Sequence, residues 1–180
     1  MDVWDNERFG RVTFENAFQG SEISSVHGYH IFEDITALYP QFQTDLMLST
    51  GYGRVIRYGD FIDTFMPRLR NEYTEHFDYG DIALPIYPFM RMTNSLADND
   101  KSVLIIAESN GLLQSTFLSL GFANLDMIYL IYEVTPDWLW YVLENNDYDY
   151  VIMVVSDVVL AQQSMEAFEQ DRLFLGHPPY

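Results

Sequence analysis

The sequence contains no cysteine, few basic residues and no long apolar run. Without cysteine the chain cannot form disulfides, thiolate zinc sites or a cysteine nucleophile. The best apolar stretch, Leu125 to Tyr132, is far shorter than the roughly 20 residues of a membrane-spanning helix. The first residues, Met1 to Val12, lack the basic and apolar regions of a secretory signal. The sequence as given therefore predicts a soluble protein and leaves its compartment unknown.

Basic residues are scarce beside the acidic ones, with 9 against 27, so the net charge is −18. Such a field repels nucleic-acid phosphates and anionic lipid, which argues against direct nucleic-acid binding and membrane insertion. Between Ala123 and Asp171 there are ten acidic residues and no basic one. The simplest interpretation is that these acids cover solvated helix faces and strand ends. The alternative is an acidic surface that docks a basic protein partner.

The chain of 180 residues is 48% hydrophobic, which is enough to form the core of one domain. Residues 101–171 predict an alternation of strands and helices with short links, which is typical of a parallel sheet flanked by helices. The predicted strands are Ser102–Ala107, Met127–Tyr132 and Asp149–Val155. The predicted helices are Leu112–Leu120, the segment from Pro136 to Asn145, which Thr135 caps, and Val158–Asp171.

The first hundred residues are less regular. A strand is predicted at Phe9–Phe14, and a short helix or strand at Ile31–Leu38. Apolar spacing predicts a helix over Asp60–Phe77, which Pro67 must kink or divide. Asp78–Asn99 contains prolines, a glycine and a polar tract, so it is predicted to be a loop.

The tetrapeptide Glu108-Ser109-Asn110-Gly111 carries the main candidate site. In open α/β sheets, ligands bind at the carboxyl ends of the strands, and Ser109 falls between a predicted strand and a predicted helix. The helix N-terminus would supply N–H donors and a partial positive charge there. Ser109 could therefore act as an acyl-transfer nucleophile, with Asn110 and Gly111 as adjacent substrate-binding residues. Alternatively, Ser109 only caps the helix.

The run from Met92 to Leu118 resembles the nucleophile region of SGNH-like hydrolases of the DHHW and alginate-acetylation group. In that group a polar turn and a lysine precede an apolar strand, which ends in an Asp-Ser turn followed by a helix. The later strands extend the resemblance to about Leu160. It implies an SGNH-like α/β fold related to carbohydrate O-acetyl esterases and acetyltransferases, with Ser109 in the nucleophile position. It also implies an extracytoplasmic location.

The sequence departs from the pattern of that group at the catalytic residues. Glu108 replaces the usual aspartate, and Asn110 replaces the usual aromatic residue. The closest match to the Asp-x-His-Trp segment begins at Asp45, where Met47 stands in place of the histidine. Methionine cannot accept the serine proton, so this alignment implies a broken triad and a degenerate relative of the group.

Two of the four histidines, His27 and His30, are candidates for a substitute base. Either would have to lie within about 2.6–3.2 Å of the Ser109 hydroxyl, directly or through a water. The alternatives are ordinary, partly exposed histidines or a metal pair with Glu33 and Asp34. No third ligand has the spacing of a recognised motif, so neither a metal nor a cofactor is expected.

The sequence therefore predicts a single α/β domain of SGNH or flavodoxin-like type. The leading function is an SGNH-like esterase or acetyltransferase for a carbohydrate or other acyl-ester substrate, or a catalytically degenerate relative. The alternative function is an acidic non-catalytic binding protein, such as an inhibitor that mimics DNA.

Overall fold

The computed structural model describes residues 6–18, 33–67, 87–130 and 135–155. These residues form a mixed α/β domain. Its strands are β1 (Phe9–Phe18), β2 (Glu33–Pro40), β3 (Leu46–Thr50), β4 (Val55–Gly59), β5 (Phe89–Asn94), β6 (Ser102–Ala107), β7 (Asn124–Tyr129) and β8 (Tyr150–Val154). A 3-10 turn (Asn6–Arg8) precedes β1, and the α-helices are α1 (Phe61–Phe65), α2 (Ser109–Leu118) and α3 (Pro136–Glu144).

The main sheet has six strands in the order β4-β3-β5-β7-β6-β8. β6 pairs in parallel with β7 and β8, whereas β5, β3 and β4 are each antiparallel to their neighbours. The sheet is therefore mixed, and the predicted parallel arrangement is found only in β6, β7 and β8. β1 and β2 pair antiparallel as a separate ribbon.

The prediction of a loop over Asp78–Asn99 is wrong for its last part, because Phe89–Asn94 forms β5 in the interior of the sheet. Met90, Met92 and Asn94 are buried and alternate with more exposed residues, as a strand requires. β5 runs antiparallel to β7 because residues 95–101, which join it to β6, are too few to form a crossover.

The helices begin where capping residues satisfy their first N–H groups. The Thr135 hydroxyl accepts a hydrogen bond from the Trp138 N–H at 3.3 Å, which confirms the predicted cap of α3. Asp60 caps α1 in the same way, accepting from the Asp63 N–H at 2.8 Å. α1 ends at Phe65, two residues before Pro67. The rest of that predicted helix, and the one predicted at Val158–Asp171, lie outside the described residues.

α2 and α3 cover opposite faces of the sheet. One core includes Val103 and Ile105 of β6 with Leu112 of α2, and a second core joins Leu104 and Ile106 of β6 to α3. From β6 the chain crosses to β7, its neighbour on one side. From β7 it then crosses back to β8, which lies on the other side of β6. Right-handed crossovers therefore place the two helices on opposite sides.

The strand register defines two edges of the sheet. The carboxyl edge is the one where β6, β7 and β8 end, and the amino edge is the one where they begin. Thr50, at the end of β3, pairs with Met90, which pairs with Met127. The β3–β4 turn (residues 51–54) therefore lies at the carboxyl edge, together with Tyr87 and Pro88. Asn94 pairs with Leu46, so the start of β3 lies at the amino edge.

Candidate active site at the carboxyl edge

Ser109 is the first residue of α2, and its side chain is exposed at the carboxyl edge. Glu108 makes the turn in extended conformation between β6 and α2, and its N–H donates to the Val154 carbonyl of β8 at 3.2 Å. Ser109 directly follows the strand and its turn, as predicted, but it is the first residue of the helix and not its cap, because Glu108 is the N-cap. An exposed hydroxyl at this point is within reach of a ligand placed across the strand ends.

Gly111 holds the start of α2 against the sheet. A Cβ at this position would lie 2.2 Å from the Cβ of Ala107 and 3.4 Å from that of Val154, so no larger residue fits without a shift. The buried Ser115 hydroxyl donates to the Gly111 carbonyl at 2.7 Å and ties the first turn to the second. Gly111 therefore packs against Ala107 and Val154. The predicted contact between Asn110 and a substrate stays a prediction.

The start of α2 suits negative charge that develops near Ser109. The first turn of the helix contains no acidic residue, and Glu108 makes no side-chain capping hydrogen bond. The Gly111 N–H donates to the Glu108 carbonyl at 2.9 Å, and the N–H groups at the start of an α-helix carry a partial positive charge. This arrangement can stabilise the oxyanion that forms when an ester carbonyl is attacked.

Asp45 and Met47, aligned above with the family's acid/base segment, do not lie near Ser109. Asp45 immediately precedes β3 at the amino edge, where its carboxylate accepts a hydrogen bond from the Ser95 hydroxyl. The strand steps from Ser102 to Ala107 alone separate the two edges by roughly 17 Å. The register therefore gives no support to Asp45 as the acid partner of Ser109 or to Met47 at the position of the missing histidine.

The four histidines, including the candidate bases His27 and His30, all lie outside the described residues. Their roles as base or metal ligands stay predictions. Among residues 6–18, 33–67, 87–130 and 135–155, no three histidine or acidic side chains are grouped closely enough to hold a metal ion. In the same ranges, no helix has the length and apolar character needed to cross a membrane.

A partly buried ion pair, which no sequence pattern indicated, joins two central strands. Arg91 of β5 donates through Nε and Nη2 to the two carboxylate oxygens of Asp126 of β7, at 2.8 and 2.6 Å. Tyr148 donates to the same carboxylate at 2.7 Å, and Arg91 also donates to Asn146 at 3.1 Å. Asp126 is only 3% exposed, so it is not part of an acidic surface.

The network raises the pKa of two of its members. The hydrogen bond to Asp126 raises the pKa of Arg91, although partial burial opposes it. Burial raises the pKa of Tyr148, and its hydrogen bond to Asp126 adds to the effect. Both groups therefore keep their protons at neutral pH, and the network joins β5 and β7 to the segment between α3 and β8.

The acidic residues of the described loops gather at the amino edge, away from Ser109. The carboxyl edge has Glu108 and Asp137 among its described residues. Exposed acids at the amino edge, including those at the end of α3, are Asp45, Asp98, Asp100, Glu144, Asp147 and Asp149. Asp149 is paired there with Lys101 at 2.6 Å. Within the part of the chain that the structure describes, more exposed acids therefore lie at the amino edge than at the carboxyl edge.

No protein-family model matches this sequence, and no curated protein sequence matches it closely enough to count as a relative. Solved structures do share the fold. PatB1 from Bacillus cereus has 16% identity over 86% of this chain, with a TM-score of 0.61. A second PatB1 structure, with a sulfonyl adduct, has a TM-score of 0.60. A DHHW family protein from Eubacterium siraeum has 12% identity over 93% of this chain, with a TM-score of 0.61.

At these identities the likeness shows the fold alone. The chain therefore shares a mixed α/β fold with PatB1 and with a DHHW family protein. The chain spans about half the length of the structures it matches, between 48% and 54%.

Proposed function

We propose that this chain is an SGNH-like acyl-transfer domain that acts on acetyl esters of carbohydrates, with Ser109 as the nucleophile. The observation that carries the proposal is the position of Ser109. It is exposed at the first residue of α2, on the carboxyl edge of the parallel strands, and Gly111 fixes the helix behind it. This arrangement offers a hydroxyl and helix N–H donors on one accessible surface.

The comparisons support this choice of chemistry. The fold is shared with PatB1, which has been captured with a sulfonyl adduct, and with a DHHW family protein. A sulfonyl adduct on a protein of this fold is in keeping with a reactive nucleophile. The resemblance of residues 92–118 to the nucleophile region of the same group supports the choice of Ser109 for that role.

The proposed reaction begins when the Ser109 oxygen attacks the acetyl carbonyl carbon. The hydroxyl proton passes to a base, for which His27 and His30 are the candidates, and the backbone N–H groups at the start of α2 stabilise the oxyanion. The carbonyl then re-forms, and the sugar hydroxyl leaves with a proton from the base. Water or a second sugar hydroxyl accepts the acetyl group from Ser109 in the last step.

Hydrolysis of 4-nitrophenyl acetate by the wild type and by S109A and S95A variants tests this proposal. Ser95 is a matched control because it is also exposed but lies at the amino edge. S109A should lower kcat by about three orders of magnitude or more, and S95A should leave it unchanged. Equal rates in all three proteins would remove Ser109 from the mechanism, and no hydrolysis by the wild type would indicate the degenerate form.

The gathering of acids at the amino edge favours a second candidate function, which is docking of a basic protein partner. This surface is separate from Ser109, so the two functions are compatible. A D98N/D100N/D147N variant should lose salt-sensitive binding to a polylysine probe, whereas neutralising Glu7, Glu15 and Glu33 should preserve it. Equal binding by both variants would show that the amino-edge acids serve only solubility.

A further inference from the structure

We propose that the β3–β4 turn is a sugar-binding subsite of the Ser109 site, with Tyr52 as the ring on which a sugar stacks. The substrate would then be a chain of several sugar residues rather than a small acetyl ester. This inference rests on the proposed function, and it specifies in addition that the substrate has several sugar residues.

The turn and Ser109 lie on the same edge of the sheet. The Gly51 N–H donates to the Phe89 carbonyl at 2.9 Å, and the Tyr129 N–H donates to the Pro88 carbonyl at 3.0 Å. These bonds continue the ladder beyond the paired residues of β3, β5 and β7. Tyr129 in turn pairs with Ala107, two residues before Ser109. Measured along the strand direction, Tyr52 therefore lies at the same position as the end of β6.

The distance along this edge fits an oligosaccharide. β3 and β6 are separated by β5 and β7, so three strand spacings lie between them. These spacings amount to roughly 14 Å. One sugar ring cannot cover this span, but a short chain of sugars can lie along the strand ends with one residue at Tyr52 and its acetyl group at Ser109.

The turn presents Tyr52 on a fixed backbone. Thr50 and Arg54 close the turn through the bond from the Thr50 N–H to the Arg54 carbonyl at 2.9 Å, and the Gly53 N–H donates to the Thr50 carbonyl at 2.8 Å. Gly53 has a φ of 80°, which favours glycine at this position. A Cβ at Gly51 would collide with the Phe89 ring at 1.9 Å, so only glycine lets the turn pack against this ring.

Tyr52 is 97% exposed on this anchored turn. A turn whose backbone is already fixed loses little backbone entropy when a ligand binds to it, and the apolar face of a tyrosine ring suits the C–H face of a sugar. Tyr87 and Pro88 lie between this ring and the end of β7 on the same edge. Among the described residues of this edge, Tyr87 and Pro88 offer a sugar chain apolar groups between Tyr52 and Ser109.

Two exposed tyrosines of the same hairpin provide a matched test. Tyr58 is 78% exposed but pairs with Met47, near the amino edge. Chemically O-acetylated cellohexaose and cellobiose serve as long and short substrates with the same backbone, and 4-nitrophenyl acetate reports the chemistry alone. Y52A should lower kcat/KM roughly tenfold for the hexamer, with little change for the dimer or for 4-nitrophenyl acetate. Y58A should behave like the wild type with all three.

Equal losses for hexamer and dimer, or equal losses in Y52A and Y58A, would overturn the subsite while leaving the proposed function intact. Calorimetric binding of acetylated cellohexaose to S109A separates the two proposals. Binding that S109A retains and S109A/Y52A loses supports the subsite even if Ser109 proves not to be the nucleophile. Binding that is the same in both variants, or absent from S109A, contradicts it.

Discussion

Gly111 and Ala107 are in such close contact that a Cβ at Gly111 would lie 2.2 Å from the Ala107 Cβ. This contact joins the start of α2 to the end of β6 and determines where the Ser109 hydroxyl emerges from the sheet. The position of the candidate nucleophile therefore depends on the absence of a side chain two residues away.

A methyl group at Gly111 should disturb both stability and the site. We expect G111A to lower the free energy of unfolding by about 1–3 kcal/mol, because the added carbon overpacks the contact with β6. Ester hydrolysis should fall as well, since the start of α2 must shift. Urea denaturation and 4-nitrophenyl acetate hydrolysis measure the two effects. Q114A, on the exposed side of the same helix, is the control, and a G111A protein as stable and active as Q114A would contradict this role.

The register also predicts the outcome of an attempted repair of the triad. We expect M47H to leave ester hydrolysis at the wild-type rate, because Met47 lies at the amino edge and its side chain cannot reach Ser109. An imidazole at this position lies two residues from Asp45, whose carboxylate accepts from the Ser95 hydroxyl, and at the edge opposite Ser109. A gain in hydrolysis that depends on Ser109 would show that the strand register is different.

Arg91 and Asp126 should contribute unequally to stability. The Asp126 side chain is 4% exposed and that of Arg91 is 44% exposed, so an unpaired carboxylate stays buried whereas an unpaired guanidinium can reach water. We expect R91M to lower the free energy of unfolding by about 3 kcal/mol and D126L by less. The R91M/D126L double variant should be more stable than the sum of the single effects predicts. Additive effects in urea denaturation would contradict this coupling.

The ion pair between Lys101 and Asp149 should make stability depend on pH. Its hydrogen bond with Lys101 lowers the pKa of Asp149 below the ordinary 3.8, and the same bond raises the pKa of Lys101 above 10.5. The lowered pKa of Asp149 stabilises the fold at pH values above the ordinary pKa, and this stabilisation is lost as the pH falls through the pKa of Asp149 in the folded protein. The raised pKa of Lys101 stabilises the fold at pH values below the ordinary pKa, and this stabilisation is lost as the pH rises through the pKa of Lys101 in the folded protein.

The stability difference between wild type and K101M should therefore be constant near neutral pH and disappear in acid. Urea midpoints measured from about pH 2 to about pH 8 follow this difference. K101R should keep the wild-type profile because it preserves the charge. A difference that is the same in acid as at neutral pH would show that Lys101 stabilises the fold by packing and not by charge.

Local patterns predicted the parts of the fold that follow from short stretches of sequence. These parts depend on neighbouring residues only. They are the apolar run of β6, the Thr135 cap of α3 and the position of Ser109 close after β6 at the start of a helix. β5 was missed because Pro88 and the polar residues after Asn94 indicate a loop, although buried and exposed residues alternate from Phe89 onward. The antiparallel half of the sheet results from pairing between distant segments, which no local pattern encodes.

The candidate site was predictable only in part for the same reason. Ser109 and Gly111 are adjacent in sequence, whereas the distance between Asp45 and Ser109 depends on the direction in which β3 runs. The ion pair between Arg91 and Asp126 joins strands 35 residues apart. Tyr52 stands between two glycines, and this pattern indicates an exposed turn, but the register of β3 was needed to place that turn at the carboxyl edge.

Covalent labelling by phenylmethylsulfonyl fluoride tests the central claim, that Ser109 is an activated nucleophile, most directly. Digestion and mass spectrometry of the labelled protein identify which hydroxyl reacts. We expect the sulfonyl group on Ser109, with no label on Ser95 or Ser102 and a parallel loss of ester hydrolysis. Labelling spread evenly over exposed serines, or a Ser109 that stays unmodified while ester hydrolysis continues, would contradict the claim.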